Sequence, residues 1–143
     1  RCDAVAAASI RTRESLRDTE QRIADLALLG KQIDTYRKLK PVYDRYKASK
    51  DKEKFLRGFE SEIILFEAAA REIKKAGLTR LPSSDKVKAE LEGLSARKAA
   101  LQAELRKIQR EEKEYDTLRQ NVDALLERPK EQEQQRQRSN DLE

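Results

Sequence analysis

Residues 87–126, VKAELEGLSARKAALQAELRKIQREEKEYDTLRQNVDALL, decide the fold. Val87, Leu94, Leu101, Ile108, Tyr115 and Val122 recur every seven residues. Leu91, Lys98, Leu105, Glu112, Arg119 and Leu126 fill the companion position. Two seam positions per seven residues give a narrow apolar stripe, wide enough for one partner helix. Lys98, Glu112 and Arg119 weaken the seam. They also set its register if each meets an opposite charge or reaches water. Leu118 and Leu125 shift the apolar stripe sideways, and leucines left exposed there would mark a surface for self-association. Ser83 or Ser84 is placed to cap this helix, with Asp85 favourable in the first turn. The pattern predicts a helix over 84–127, roughly 65 Å long at 1.5 Å per residue. Pro129 is expected to end it, and residues 128–143 read as a disordered polar tail.

The same spacing appears upstream. Leu16, Thr19, Ile23, Leu26, Gly30, Ile33 and Arg37 alternate steps of three and four, and Leu29, Tyr36 and Tyr43 continue a neighbouring stripe. A helix over about 4–40 follows. Pro41 lacks an amide donor and pushes Lys40 away from helical geometry, so a break is expected before a short helix at 42–48. Ser49 or Asp51 then caps a third stretch, 51–76. Its stripe of Phe55, Phe59, Ile63, Phe66, Ala70 and Ile73 is the most apolar in the chain, and Gly77 suits the residue after its end. The fold class is all-α. Two long helices with one narrow seam each are best paired as an elongated antiparallel coiled-coil hairpin with a smaller helical tip. A three-helix bundle and a parallel dimer of the last helix are the alternatives. Residues 1–127 form one helical domain on this reading, with a basic tip at about 37–88.

Composition narrows the function classes. Of 143 residues 41% are charged and 37% apolar, so thin seams rather than one thick core are expected. There is no histidine and one cysteine, Cys2, so no zinc site, no internal disulfide and no cofactor are expected. Neither a glycine-rich phosphate loop nor a nucleophile–histidine pair is present. Paired acids such as Glu60/Glu62 and Glu111/Glu112 read as solvated faces, because general acid–base chemistry needs a pocket that shifts a carboxylate. The chain is expected not to be an enzyme by itself. No apolar run approaches the ~20 residues that span a bilayer, so no membrane partner is expected and the cytoplasm is the default location. The lack of methionine suggests a piece of a longer protein.

Charge is focused in one place. Arg37, Lys38, Lys40, Arg45, Lys47, Lys50, Lys52, Lys54 and Arg57 face only Asp44, Asp51 and Glu53 in the same stretch. That local excess exceeds the net charge of +5 for the whole chain. Basic helical residues neutralise phosphates, and exposed tyrosines stack on unpaired bases. These nine are the candidate DNA-contacting residues. The bland alternative is a set of solvated charges around an aromatic core of Tyr43, Tyr46, Phe55 and Phe59. A nucleophilic role for Tyr36, Tyr43 or Tyr46 finds no histidine to hold a metal, and their spacing suits packing.

The order of four segments resembles a known family. They are VYDRYKASKDKEKF (42–55), the apolar ESEIILFEAAA (60–70), the turn TRLPSS (79–84) and NVDALL (121–126). Across about residues 3–126 the chain is similar to the C-terminal helical region of relaxases, the mobilisation nucleases of conjugative and mobilisable elements in Gram-positive bacteria. Two departures stand out. Phe59 and Phe66 replace histidines frequent in that family, which keeps a packing role and removes any proton or metal role. Pro41 is unusual there. The resemblance implies that nicking chemistry belongs to a separate N-terminal domain, so no catalytic residue carries over. It implies a cytoplasmic accessory region serving DNA contact, self-association, or docking to relaxosome or secretion-coupling proteins. A coiled-coil interaction or spacer module unrelated to DNA is the alternative.

Overall fold

The computed structural model describes the backbone from Cys2 to Asp141 and the side chains of residues 3–127 and 135–138. The protein is all-α. Helix α1 runs Cys2–Ala48, α2 Lys52–Lys75 and α3 Ser84–Asp141, and no strand occurs among the described residues. Contacts divide the chain into two compact units. Unit 1 comprises 1–16 and 100–143, and unit 2 comprises 17–99.

Local chemistry sets the helix ends. Asp51 caps α2, its carboxylate accepting from the Lys54 amide at 3.1 Å. Gly77, with φ +74°, takes the left-handed position just past the α2 C-cap at Ala76. Ser83 caps α3, its hydroxyl accepting from the Lys86 amide at 3.1 Å. Each is among the caps the sequence pointed to.

Two boundaries differ from expectation. Pro41 lies inside α1, which runs unbroken where two helices, 4–40 and 42–48, were expected. An internal proline costs about 3 kcal/mol, through a lost hydrogen bond and a clash with the carbonyl four residues back. Packing on both sides offsets that cost. Tyr36 and Tyr43, one on either side of Pro41, both stack on Phe66 of α2, with centroids 4.7 and 4.3 Å away. The second difference is at the far end. α3 stays helical past Pro129 to Asp141, not stopping at Glu127. The Glu, Gln and Arg that follow the proline are strong helix formers. The tail expected to be disordered is thus helical as far as Asp141, and residues 142–143 lie outside the described residues.

Unit 2 holds the core. Ile33 of α1, Ile63, Phe66, Ala69 and Ile73 of α2, and Val87 of α3 are buried there, so all three helices contribute. α1 and α3 run antiparallel within it. Glu20 meets Lys98, Gly30 faces Val87, and Asp34 accepts from the Ser84 hydroxyl. A β-carbon added at Gly30 would stand 3.2 Å from Val87 Cγ1, so the glycine allows a close approach.

Unit 1 is thinner. Ile108 is its one buried large apolar side chain among the described residues, joined by Ser9 and Thr12. Val5 and Ala6 line a pocket with Glu112, Tyr115 and Asp116 of α3. Tyr115, Leu118, Val122, Leu125 and Leu126 are all exposed.

Candidate nucleic-acid interface

The basic stretch folds as the last turns of α1, the 49–51 turn and the first turns of α2. Beneath it lies a chain of rings, three neighbouring pairs stacked and two tilted. Tyr36 and Tyr43 sandwich Phe66. Tyr43 continues to Tyr46 at 6.0 Å, Tyr46 to Phe55 at 6.1 Å, and Phe55 to Phe59 at 4.8 Å. Phe66 is 5% exposed, whereas the other five rings are half-buried. Helical spacing lines up Tyr36, Tyr43 and Tyr46 on one face of α1, opposite Phe55, Phe59 and Phe66 of α2. Six of the chain's seven aromatic residues are thereby used for packing. α2 bends within this cluster, at Phe59, whose backbone leaves helical geometry (φ −133°, ψ 27°).

All nine candidate basic residues are exposed, but they are not equivalent. Arg37 is a latch. Its guanidinium donates to the Pro82 carbonyl at 2.6 Å and to the Leu81 carbonyl at 3.5 Å, holding the α2–α3 connection against α1. Lys40 pairs with Asp44 one turn later at 3.4 Å. Arg45 lies 5.9 Å from the Phe59 ring centroid and Lys47 5.4 Å from that of Tyr43, both within cation–π range. Lys38, Lys50, Lys52, Lys54 and Arg57 have no partner side chain among the described residues.

Four of these five bracket one turn. Lys50 sits in it, and Lys52, Lys54 and Arg57 follow on the first two turns of α2. That is an unfavourable place for cations, because the N-terminal end of a helix carries partial positive charge. Asp51 spends its carboxylate on the helix cap, which leaves Glu53 as the one acid of the first turn. The corner can therefore attract an extended polyanion through lysines and an arginine on a rigid aromatic base. It offers no nucleophile–base pair. Among the described residues no group of three His, Cys, Asp or Glu side chains could hold a metal ion. No described helix is long and apolar enough to cross a membrane.

Sequence reasoning grouped the nine basic residues as one patch. It missed that Arg37 reaches back across 45 residues to a carbonyl, a contact without a local signature. It also missed the cation–ring pairs of Arg45 and Lys47, which depend on how the rings tilt. No protein family, curated protein or solved structure matches the chain.

Proposed function

We propose that this chain is a non-catalytic accessory module that contacts the nucleic-acid backbone, within a relaxase acting in the cytoplasm during conjugative DNA transfer. The relaxase setting rests on the ordered sequence segments. The contact rests on one observation: exposed, unpaired Lys50, Lys52, Lys54 and Arg57 around the 49–51 turn. Lys38 extends the charge along α1. The half-buried rings stiffen the base of this surface, and phosphate contact rather than base stacking carries the affinity. Four or five phosphate contacts would give weak, sequence-independent binding, with Kd on the order of 10⁻⁴–10⁻⁶ M at physiological salt.

Fluorescence anisotropy with labelled single- and double-stranded DNA, from about 25 to about 300 mM salt, tests this reading. Log affinity against log salt should fall with a slope of roughly −3 to −5. Changing Lys50, Lys52, Lys54 and Arg57 to Glu should abolish binding. A charge-matched control with Arg106, Lys107, Arg110 and Lys113 changed to Glu should keep most of it. Equal loss in both variants would reduce the effect to net charge. No binding at the lowest salt would leave a protein-docking or spacing module, and the search for partners would turn to relaxosome and secretion-coupling proteins.

A further inference from the structure

The first two turns of α2 are held differently from the rest of the helix. Every buried residue of α2 lies beyond Phe59: Ile63, Phe66, Ala69 and Ile73. In 52–58 none is buried, and only Phe55 and Leu56 are half-buried. The two parts meet at Phe59, where the backbone leaves helical geometry (φ −133°, ψ 27°). Gly58 precedes it, and nothing lies within 4 Å of a β-carbon added there. No close packing calls for this glycine, and inside a helix it loosens the backbone. The joint is anchored from α1, because Arg45 stands 5.9 Å from the centroid of the Phe59 ring. The segment before it is not. Its ring contact with α1 is the tilted Phe55–Tyr46 pair at 6.1 Å, and its capping bonds run to Asp51. Among the described residues no hydrogen bond or ion pair ties 52–58 to another helix.

We propose that residues 52–58 are a basic arm hinged at Gly58–Phe59, and that the phosphates of a bound polyanion settle it into one position. Two features of the arm make it mobile without a ligand. It is too short a helix to hold itself, and it buries no side chain that would hold it to the core. It also repels itself. Lys52, Lys54 and Arg57 outnumber Glu53, Lys54 and Arg57 are neighbours on one helical face, and no ion pair within the arm relieves them. A phosphate between these cations removes the repulsion, and phosphates shared with Lys50 tie the arm to the turn before it. A ligand that engages several of the four at once favours one arm position over the others, so binding shifts the arm toward that position. The hinge in turn lets the same cations follow phosphates of unequal spacing, which suits sequence-independent contact. The ligand rests on the phosphate-contact reading above, whereas the hinge belongs to the chain alone.

Spin-label distances by pulsed electron paramagnetic resonance test it, in the full chain on a Cys2→Ser background. Glu53→Cys with Arg71→Cys spans the hinge. Arg71→Cys with Glu90→Cys joins α2 beyond the hinge to α3 and serves as the fixed control. All three positions are exposed. In the free chain the hinge pair should give a distance distribution roughly twice as wide as the control pair. Gly58→Ala meets open space and adds helix propensity across the joint, so it should narrow the hinge-pair distribution. Gly93→Ala, the same change within α3, should leave it as wide as in the parent. A short DNA duplex at low salt should narrow the parent's distribution toward the control width, and this effect should vanish when Lys52, Lys54 and Arg57 are changed to Glu. Equal widths for the two pairs in the free chain would overturn the hinge, whatever DNA does. A wide distribution that Gly58→Ala leaves unchanged would overturn its placement at Gly58–Phe59. A wide distribution that bound duplex leaves unchanged would overturn the settling of the arm. No duplex binding by anisotropy would overturn the phosphate-contact reading and the settling together, and the free-chain widths tell that result apart from failure of the hinge.

Discussion

Unit 2 and unit 1 draw on the same two long helices and bury them by different means. In unit 2 a third helix closes over the pair, and six apolar residues are buried, Phe66 between two tyrosine rings among them. In unit 1 Ile108 alone is a buried large apolar side chain among the described residues, and Ser9 and Thr12 take the matching α1 positions. Two helices can bury only the line between them. A third lets side chains be surrounded. Stability should therefore be concentrated in unit 2, while in unit 1 Leu118, Leu125 and Leu126 stay exposed.

The largest test of this contrast is Phe66→Ala against Ile108→Ala. Removing the Phe66 ring strands Tyr36 and Tyr43 at once and should cost about 3–5 kcal/mol. Ile108→Ala should cost about 2 kcal/mol, the low end for such a truncation, because neighbours in a two-helix seam can close or admit water. Denaturant unfolding followed by circular dichroism reads both. Equal losses would break the contrast.

Pro41 tests the same cluster from its other side. If ring stacking keeps α1 helical through the proline, Pro41→Ala restores the amide donor and removes the clash without disturbing Tyr36 or Tyr43. The expected gain is about 1–3 kcal/mol, seen as a raised Tm. An unchanged or lowered Tm would mean that the proline serves the local geometry, and the account of α1 would need revision.

The periodicity of the helices was legible because burial obeys it. The α1 steps from Leu16 to Arg37 predict the burial of Thr19 and Ile33, and the α3 heptads predict that of Val87 and Ile108. The α1 stripe also continues backward to Thr12, Ser9 and Val5. An alanine-rich, small-polar run hid it, since Ser and Thr carry no apolar signal. The caps at Asp51 and Ser83 were legible as local chemistry. Pro41 was misread because its cost is local and its compensation lies on another helix. In the candidate site the charges were legible and their employment was not. Arg37, Arg45 and Lys47 look like Lys50 and Lys52 in sequence, and only tertiary contacts separate them.

Glycines give a finer comparison. Gly93 lies inside α3 with nothing within 4 Å of an added β-carbon, so Gly93→Ala should add about 0.5–1 kcal/mol through helix propensity alone. Gly30→Ala carries the same propensity gain but meets Val87 Cγ1 at 3.2 Å. Its net change should fall below that of Gly93→Ala. Equal gains would show that the α1–α3 approach in unit 2 has slack, and the close packing assigned to that unit would lose a support.

The smallest effect belongs to Lys98, the one heptad charge that finds an opposite partner among the described residues. Lys98 reaches Glu20 at 3.7 Å, with both side chains well exposed to water (38% and 48%). An exposed pair of this kind gains little Coulomb energy and loses side-chain freedom, so its coupling is typically about 0.2–1 kcal/mol. A double-mutant cycle of Lys98→Ala and Glu20→Ala should give a value in that range that fades in about 1 M salt. Lys98→Leu should nonetheless stabilise the fold, because position 98 lies on the seam and leucine there extends an apolar line from Leu94 to Leu101. The lysine would then act on register rather than strength, by placing a charge that only one alignment of α1 and α3 satisfies. A loss of stability in Lys98→Leu would assign the pair a real share of the energy holding unit 2 together, and the contrast with unit 1 would no longer rest on apolar burial alone.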